Sequence, residues 1–291
     1  MTGNTGNTGN TGNTGNTGNT GNVGNAGVVA GGWFFPDRID LPFVTEAGGS
    51  AQLTALPQFP VRNWDPQWLA WRVLQDFAGT AWRGITITSA AAQIPTTPAG
   101  IKAEIDVLVV AAEDERADAL GEILAQSNEF LSPFVALLGI TTASHPATRL
   151  LVHVGELVGV FVAMHFKHQV QRPRPSQLCP ALMPPISVPG HASYPSGHAT
   201  QAQLVAECLK LALPAANGVR AALSADLDTL ARRIARNREI AGLHYPSDSA
   251  AGRELALKAL NLLQTAMPPD GAAGSPSKFD KAVTAAQAEW T

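Results

Sequence analysis

The chain has 291 residues, of which 45% are hydrophobic and only 15% charged, and a formal net charge of −3. Such a composition demands a substantial buried core, and so slight a negative charge excludes a dedicated nucleic-acid binder. Two cysteines, Cys179 and Cys208, are too few for a disulfide framework, so both are expected free, which fits a reducing, cytoplasmic compartment.

Thr2 to Asn22 repeat Thr-Gly-Asn seven times, and degenerate copies carry the pattern to residue 27. The run has no apolar residue before Val23 to offset its backbone entropy, so it is expected to be disordered. Its glycine period resembles collagen, but it contains no proline. No basic stretch followed by a compact apolar run marks a secretory signal. The expected organisation is a repeat over 1–27, a single all-helical domain over 28–270 and a tail over 271–291.

In chain order, Asp65 to Gly79 reads as a helix with Pro66 in its first turn, carrying Trp68, Trp71, Leu74 and Phe77. Ile101, Ile105, Leu108, Val109, Ala112, Ala119, Leu120, Ile123 and Leu124 follow helical spacing and predict one long helix ending near Ser127. A short helix over Asn128 to Leu138 follows. Pro146 then opens an apolar helix to about Gln169. Its segment Leu150 to Phe166 is short for a bilayer and contains His153 and Glu156, so a buried core helix is expected rather than a membrane span.

The proline-rich stretch from Arg172 to Pro195 has no helical period and reads as a long irregular connection, a frequent location for function. Helices are expected from His198 to Leu213, from Ser224 to about Gly242, and from Ser247 to Met267. No strand pairs are evident, so the fold class is all-α, a helical bundle. Several tryptophans on apolar helices leave room for a homodimer.

Some polar residues sit where a core helix should be apolar. Arg238 lies on the stripe Leu227, Leu230, Ile234 and Ala241, where a guanidinium needs a nearby anion or a route to solvent. Lys167 closes an apolar helix, and Arg174 follows within Arg172-Pro173-Arg174-Pro175. Ser196 and Gly197 open a helix whose free N–H groups favour an anion. His244 precedes Asp248 by four residues, across Pro246, so the carboxylate can cap the helix or orient the ring. Together they suggest a pocket in the bundle core for a tetrahedral oxyanion.

The ordered set Lys167 to Arg174-Pro175, then Pro195-Ser196-Gly197-His198, then Arg238, His244 and Asp248 resembles the superfamily of type 2 phosphatidic acid phosphatases, bacterial acid phosphatases and vanadium haloperoxidases. Asn237 stands where that family usually has serine. The resemblance covers Lys167 to Asp248 and implies a helical enzyme. Lys167, Arg174, Arg238, Ser196 and the Gly197 amide would bind oxyanion oxygens, and Asp248 would orient His244.

In a phosphatase, His244 would form a phosphohistidine, His198 would protonate the leaving oxygen, and no cofactor would be needed. In a haloperoxidase, His244 would bind the vanadium of vanadate, and His198 would deprotonate hydrogen peroxide. The context "HASYPSGHATQ" resembles vanadium bromoperoxidases and makes His191 a halide-site candidate. Met164, where many haloperoxidases have tryptophan, and the modest chain length point the other way, while Tyr194 is shared with acid phosphatases. The motif context leans towards a vanadate-dependent haloperoxidase. The alternatives are a soluble acid phosphatase and a non-catalytic oxyanion-binding bundle. The substrates implied are hydrogen peroxide with halide, or phosphate esters. His145, His165 and His168 are read as helix-start, surface or supporting residues.

Overall fold

The computed structural model describes residues 59–214, 218–266 and 275–290. The expected disordered repeat lies outside them. The chain divides into two units, Met1–Trp64 and Asp65–Thr291. The described part of the first, 59–64, holds one 3-10 turn, Val61–Asn63. The second contains α1 (Pro66–Ala78), α2 (Pro98–Asp114), α3 (Arg116–Asn128), α4 (Ser132–Leu138), α5 (Pro146–Val170), α6 (Pro175–Leu178), α7 (Gly197–Ala212), α8 (Val219–Ile240), α9 (Pro246–Thr265) and α10 (Lys278–Ala288). No strand occurs among the described residues, as the sequence predicts.

The core is built around α5. Leu151, Val154, Val158 and Val162 pack with Val73 and Phe77 of α1, Leu204 and Cys208 of α7, Leu255 and Ala259 of α9, and Phe279 of α10. Val152 turns to a second cluster with Phe134, Val205, Leu209, Leu227 and Ile234, joining α4, α7 and α8. The segment Pro146–Leu178 is long and apolar enough to cross a membrane, and 61% of its most apolar window is buried inside the protein.

Three glycines set the spacing of the central helices. A Cβ at Gly155 would lie 2.7 Å from the Val205 backbone, and one at Gly159 would lie 2.8 Å from Gln201 Cα. One at Gly252 would lie 2.7 Å from the Ser196 carbonyl. Each contact is closer than a methyl group tolerates, so α5, α7 and α9 meet at backbone distance.

Several details differ from the sequence expectation. The single helix expected to end near Ser127 breaks at Glu115 into α2 and α3. Ala111 and Ile123 thereby join one cluster with Ile240, Ala241 and Leu243, whereas a straight helix would separate them by about 18 Å. Leu120 and Leu124, counted in the apolar stripe, are exposed, as is Trp71, because α1 buries Ala70, Val73, Leu74 and Phe77 instead. The irregular connection contains α6 and a 3-10 turn, Pro180–Leu182. Helix α8 begins at Val219 rather than Ser224, whose hydroxyl donates back to the Arg220 carbonyl instead of capping.

The C-terminal stretch expected as a tail carries α10. Ser277 accepts from Asp280 N while Asp280 accepts from Ser277 N, and Phe279, Ala282 and Ala286 are buried. That reciprocal cap is legible in the sequence, but the Pro/Gly-rich residues before it mask it.

Candidate active site

Lys167 lies in the last turn of α5, Arg174 caps α6, and Arg238 lies in the last turn of α8. All three are buried to within 2% of full exclusion from solvent. Lys167 donates to the carbonyls of Ala192 and Ser193, each at 2.9 Å. Arg174 donates to the carbonyls of His191 and Leu243. Arg238 reaches the Ile123 carbonyl at 3.1 Å, and its buried Nε has no partner. Among the described residues, none of the three cations has a carboxylate within ion-pair range.

Neutral acceptors do not cancel charge, so burial disfavours all three cations. Burial pushes Lys167 well below the usual lysine range, with Arg174 adding repulsion. It also lowers Arg174 to about 10, against the pull of Asp248, and Arg238 to about 10. A pocket holding three uncompensated cations is stabilised by an anion.

His244 follows α8 and faces the same pocket. Its Nε2 lies 3.0 Å from an Arg174 guanidinium nitrogen. A guanidinium only donates, so Nε2 must carry the lone pair. The proton then sits on Nδ1, which donates to Asp248 Oδ2 at 3.1 Å. Asp248, in the first turn of α9, also accepts from Ser193 Oγ, from Tyr245 N and from Arg172. Burial pushes its carboxyl up, and Arg172, Ser193 and Tyr245 oppose that. His244 is held well below the usual imidazole range by burial, then by Arg174 and Lys167. The ring is therefore neutral, with its lone-pair nitrogen turned towards Arg174.

Ser196 caps α7, accepting from Ala199 N at 3.3 Å, while its own N–H donates to the Asp248 carbonyl. Its hydroxyl proton stays available. A Cβ at Gly197 would sit 3.8 Å from Lys167 Cε, which places this helix start beside the lysine. His198 packs on Phe130, and its Nε2 donates to the Gln126 carbonyl at 3.2 Å, leaving Nδ1 to exchange a proton. Burial, then Arg238, Lys167 and Arg174, push it down to about 3. His198 and His244 thus both feel Lys167 and Arg174. His191 Nδ1 lies 3.0 Å from the other Arg174 terminal nitrogen, and burial with Lys167 and Arg174 lowers the ring to about 4.

Lys167, Arg174, His191, His244 and Asp248 form one hydrogen-bonded and charge-coupled group, with Ser196 and Gly197 beside it and Arg238 acting on His198, while His145, His165 and His168 lie elsewhere. His145 packs on Trp290 and His165 on Trp82, and His168 pairs with Gln171. No cluster of three His, Cys, Asp or Glu able to hold a metal cation occurs among the described residues. Sequence reasoning missed Arg172, Ser193, Glu104 and Gln126. Arg172 was visible in the Arg-Pro-Arg-Pro turn, but no local signal marks a partner on a distant helix. Asn237 donates to Glu122 at 2.9 Å and to Gln126 Oε1 at 3.1 Å, tying α8 to α3.

A helical core that gathers buried cations beside two histidines favours an anion over a neutral or cationic ligand. Residues 148–268 match the family model described as the PAP2 superfamily. Among solved structures it is similar to a transmembrane PAP2 type phosphatidylglycerolphosphate phosphatase from Bacillus subtilis. The two are 18% identical, with 69% of this chain and 94% of the other covered at a TM-score of 0.32. No curated protein sequence matches the chain.

Proposed function

We propose that the chain hydrolyses phosphate monoesters through a phosphohistidine on His244. The observation that supports this best is the lone pair on His244 Nε2 at 3.0 Å from Arg174, with Lys167 also near, both buried cations that lack carboxylate partners. In this reading Lys167, Arg174, Arg238, Ser196 and the Gly197 amide take the phosphoryl oxygens and stabilise the charge of a five-coordinate phosphorus.

His244 Nε2 attacks phosphorus, the ester P–O bond breaks, and His198 Nδ1 gives its proton to the departing alkoxide. Water then attacks the phosphohistidine, His198 takes back a proton, and phosphate leaves. Burial and then Arg238, Lys167 and Arg174 depress His198, and the bound dianion offsets the cationic part of that depression and so moves its pKa upward. Throughout, Asp248 holds the Nδ1 proton and favours the imidazolium-like charge on the phosphorylated ring.

A second reading is vanadate-dependent oxidation of halide by peroxide. One contact favours it: His191, shared in sequence context with vanadium bromoperoxidases, reaches Arg174 at 3.0 Å. The donor set suits vanadate, with the same five groups at its oxygens and His244 Nε2 towards vanadium. When bound, vanadate would supply Lewis-acid activation of peroxide.

Two assays on the same preparation separate the readings. Release of phosphate from p-nitrophenyl phosphate, inhibited by vanadate and abolished by His244→Ala, is the expected result. Bromide oxidation that requires added vanadate and peroxide, without ester hydrolysis, would replace the first reading by the second. Thermal stabilisation by phosphate with neither activity would leave an oxyanion-binding bundle.

A further inference from the structure

The family-matched region, residues 148–268, leaves out one member of a chain of charges that reaches the site. Glu104, on α2, accepts from Arg172 at 2.6 Å through Oε2. Its Oε1 accepts at 3.0 Å from Ser247 N, a free donor in the first turn of α9. Arg172 donates at 2.7 Å to Asp248 Oδ1 and at 2.8 Å to Ser247 Oγ. Its guanidinium stacks 3.7 Å above the Tyr245 ring. Asp248 Oδ2 remains for His244 Nδ1.

We infer that Glu104 and Arg172 are positioning residues for the nucleophile, acting through Asp248 on the orientation and tautomer of His244. Asp248 Oδ2 already serves Ser193, Tyr245 N and His244, so the carboxylate plane is set by what holds Oδ1. Arg172 provides that hold, and it can do so only while another anion keeps its fork turned. Without Glu104, Arg172 is free to take both Asp248 oxygens and draw Oδ2 away from the ring. Helix α2 lies wholly before residue 148, so a part of the chain outside the matched domain sets the nucleophile.

This inference rests on the phosphohistidine reading, and the test keeps the two apart. Glu104→Gln retains the shape and one acceptor, Arg172→Gln removes the link, and Arg172→Lys keeps charge without the fork. Steady-state hydrolysis should show kcat down about 10-fold in Glu104→Gln and about 100-fold in Arg172→Gln, with KM little changed. Arg172→Lys should recover only part of the loss.

The second readout needs no turnover. In 15N-histidine-labelled protein, the Nδ1 proton of His244, identified by its loss in His244→Ala, should be present and hydrogen-bonded in the wild type. It should shift upfield or exchange away in Glu104→Gln and Arg172→Gln at temperatures where circular dichroism reports a full fold. Folded variants with wild-type kcat and an unchanged Nδ1–H signal would overturn the inference. A wild type without hydrolytic activity would sink the phosphatase reading, yet the Nδ1–H signal would still decide the positioning role.

Discussion

Arg174 and His244 meet at 3.0 Å in a contact that fixes which imidazole nitrogen keeps its lone pair. The same guanidinium also reaches the His191 and Leu243 carbonyls and the His191 ring. An ammonium cannot span those partners as a rigid fork. Arg174→Lys is therefore expected to lower kcat/KM for a phosphate ester by about 10- to 100-fold while the charge is kept. Parallel initial-rate measurements on wild type and variant check it, and equal values would show that the fork is dispensable.

Asp248 carries the complementary half of that arrangement. Replacing it with Asn keeps the volume but removes the charge, and an amide nitrogen meets a donor on either side, Arg172 at Oδ1 or Tyr245 N at Oδ2, so the hold on the Nδ1 proton is weakened. Asp248→Asn should lose at least about 100-fold in kcat. It should also destabilise the fold, because Arg172 loses one of its two anions inside the protein. Quench-flow trapping of 32P-labelled enzyme should find phosphohistidine in the wild type and little in the variant.

The motif residues were legible because each broke a local rule: a charge on an apolar stripe, or a Ser-Gly pair at a helix start. The bundle itself was legible from helical periodicity, with α5 and α7 placed to within a residue or two. What the sequence hid was long-range pairing. Glu104 sits on α2 in an ordinary amphipathic pattern, and only the fold brings it to Arg172. The break at Glu115 was equally hidden, since no proline or glycine marks it and packing against the end of α8 produces it.

The histidines predict how stability responds to acid. His198 is held down to about 3 and His191 to about 4, whereas unfolded histidine titrates near 6.5. As pH falls below about 6.5 the unfolded chain takes up protons that the folded chain refuses, so stability is full above that value and declines towards about 3. Asp248, pushed up by burial, acts in the opposite sense. Differential scanning fluorimetry between pH 7 and pH 4.5 should show a falling Tm. Saturating phosphate should lessen the fall, because a bound anion offsets the cationic charges that add to burial in lowering both imidazoles. A Tm independent of pH across that window would contradict the buried neutral histidines.

Arg238 should separate stability from function. Its charge is buried beside neutral acceptors, with Nε unpartnered, so Arg238→Met removes a desolvation cost while filling a similar volume. The ligand-free variant is expected to melt at or above the wild-type temperature. The stabilisation by phosphate, about 2.7 kcal/mol at 100 times Kd for a single site, should largely disappear. A variant that loses stability yet keeps the phosphate shift would mean that Arg238 serves the fold and not the anion.

Gly252 and Gly155 offer a matched pair, since a methyl group at either meets backbone at 2.7 Å. Both alanine variants should lose about 1–3 kcal/mol of stability, measured by urea unfolding, as the helices are forced apart. Their effects on the site should differ. At Gly252 the obstructed atom is the Ser196 carbonyl, with Ala199 Cβ at 2.9 Å and Thr200 Oγ1 at 3.0 Å, so the start of α7 must move. At Gly155 the obstruction is Val205, two turns further along α7, among apolar neighbours. Gly252→Ala is thus expected to raise KM or weaken phosphate binding well beyond what its stability loss explains, while Gly155→Ala retains near-normal binding below its melting range. Equal binding losses in the two variants would show that the position of the Ser196-Gly197 helix start is not what holds the anion.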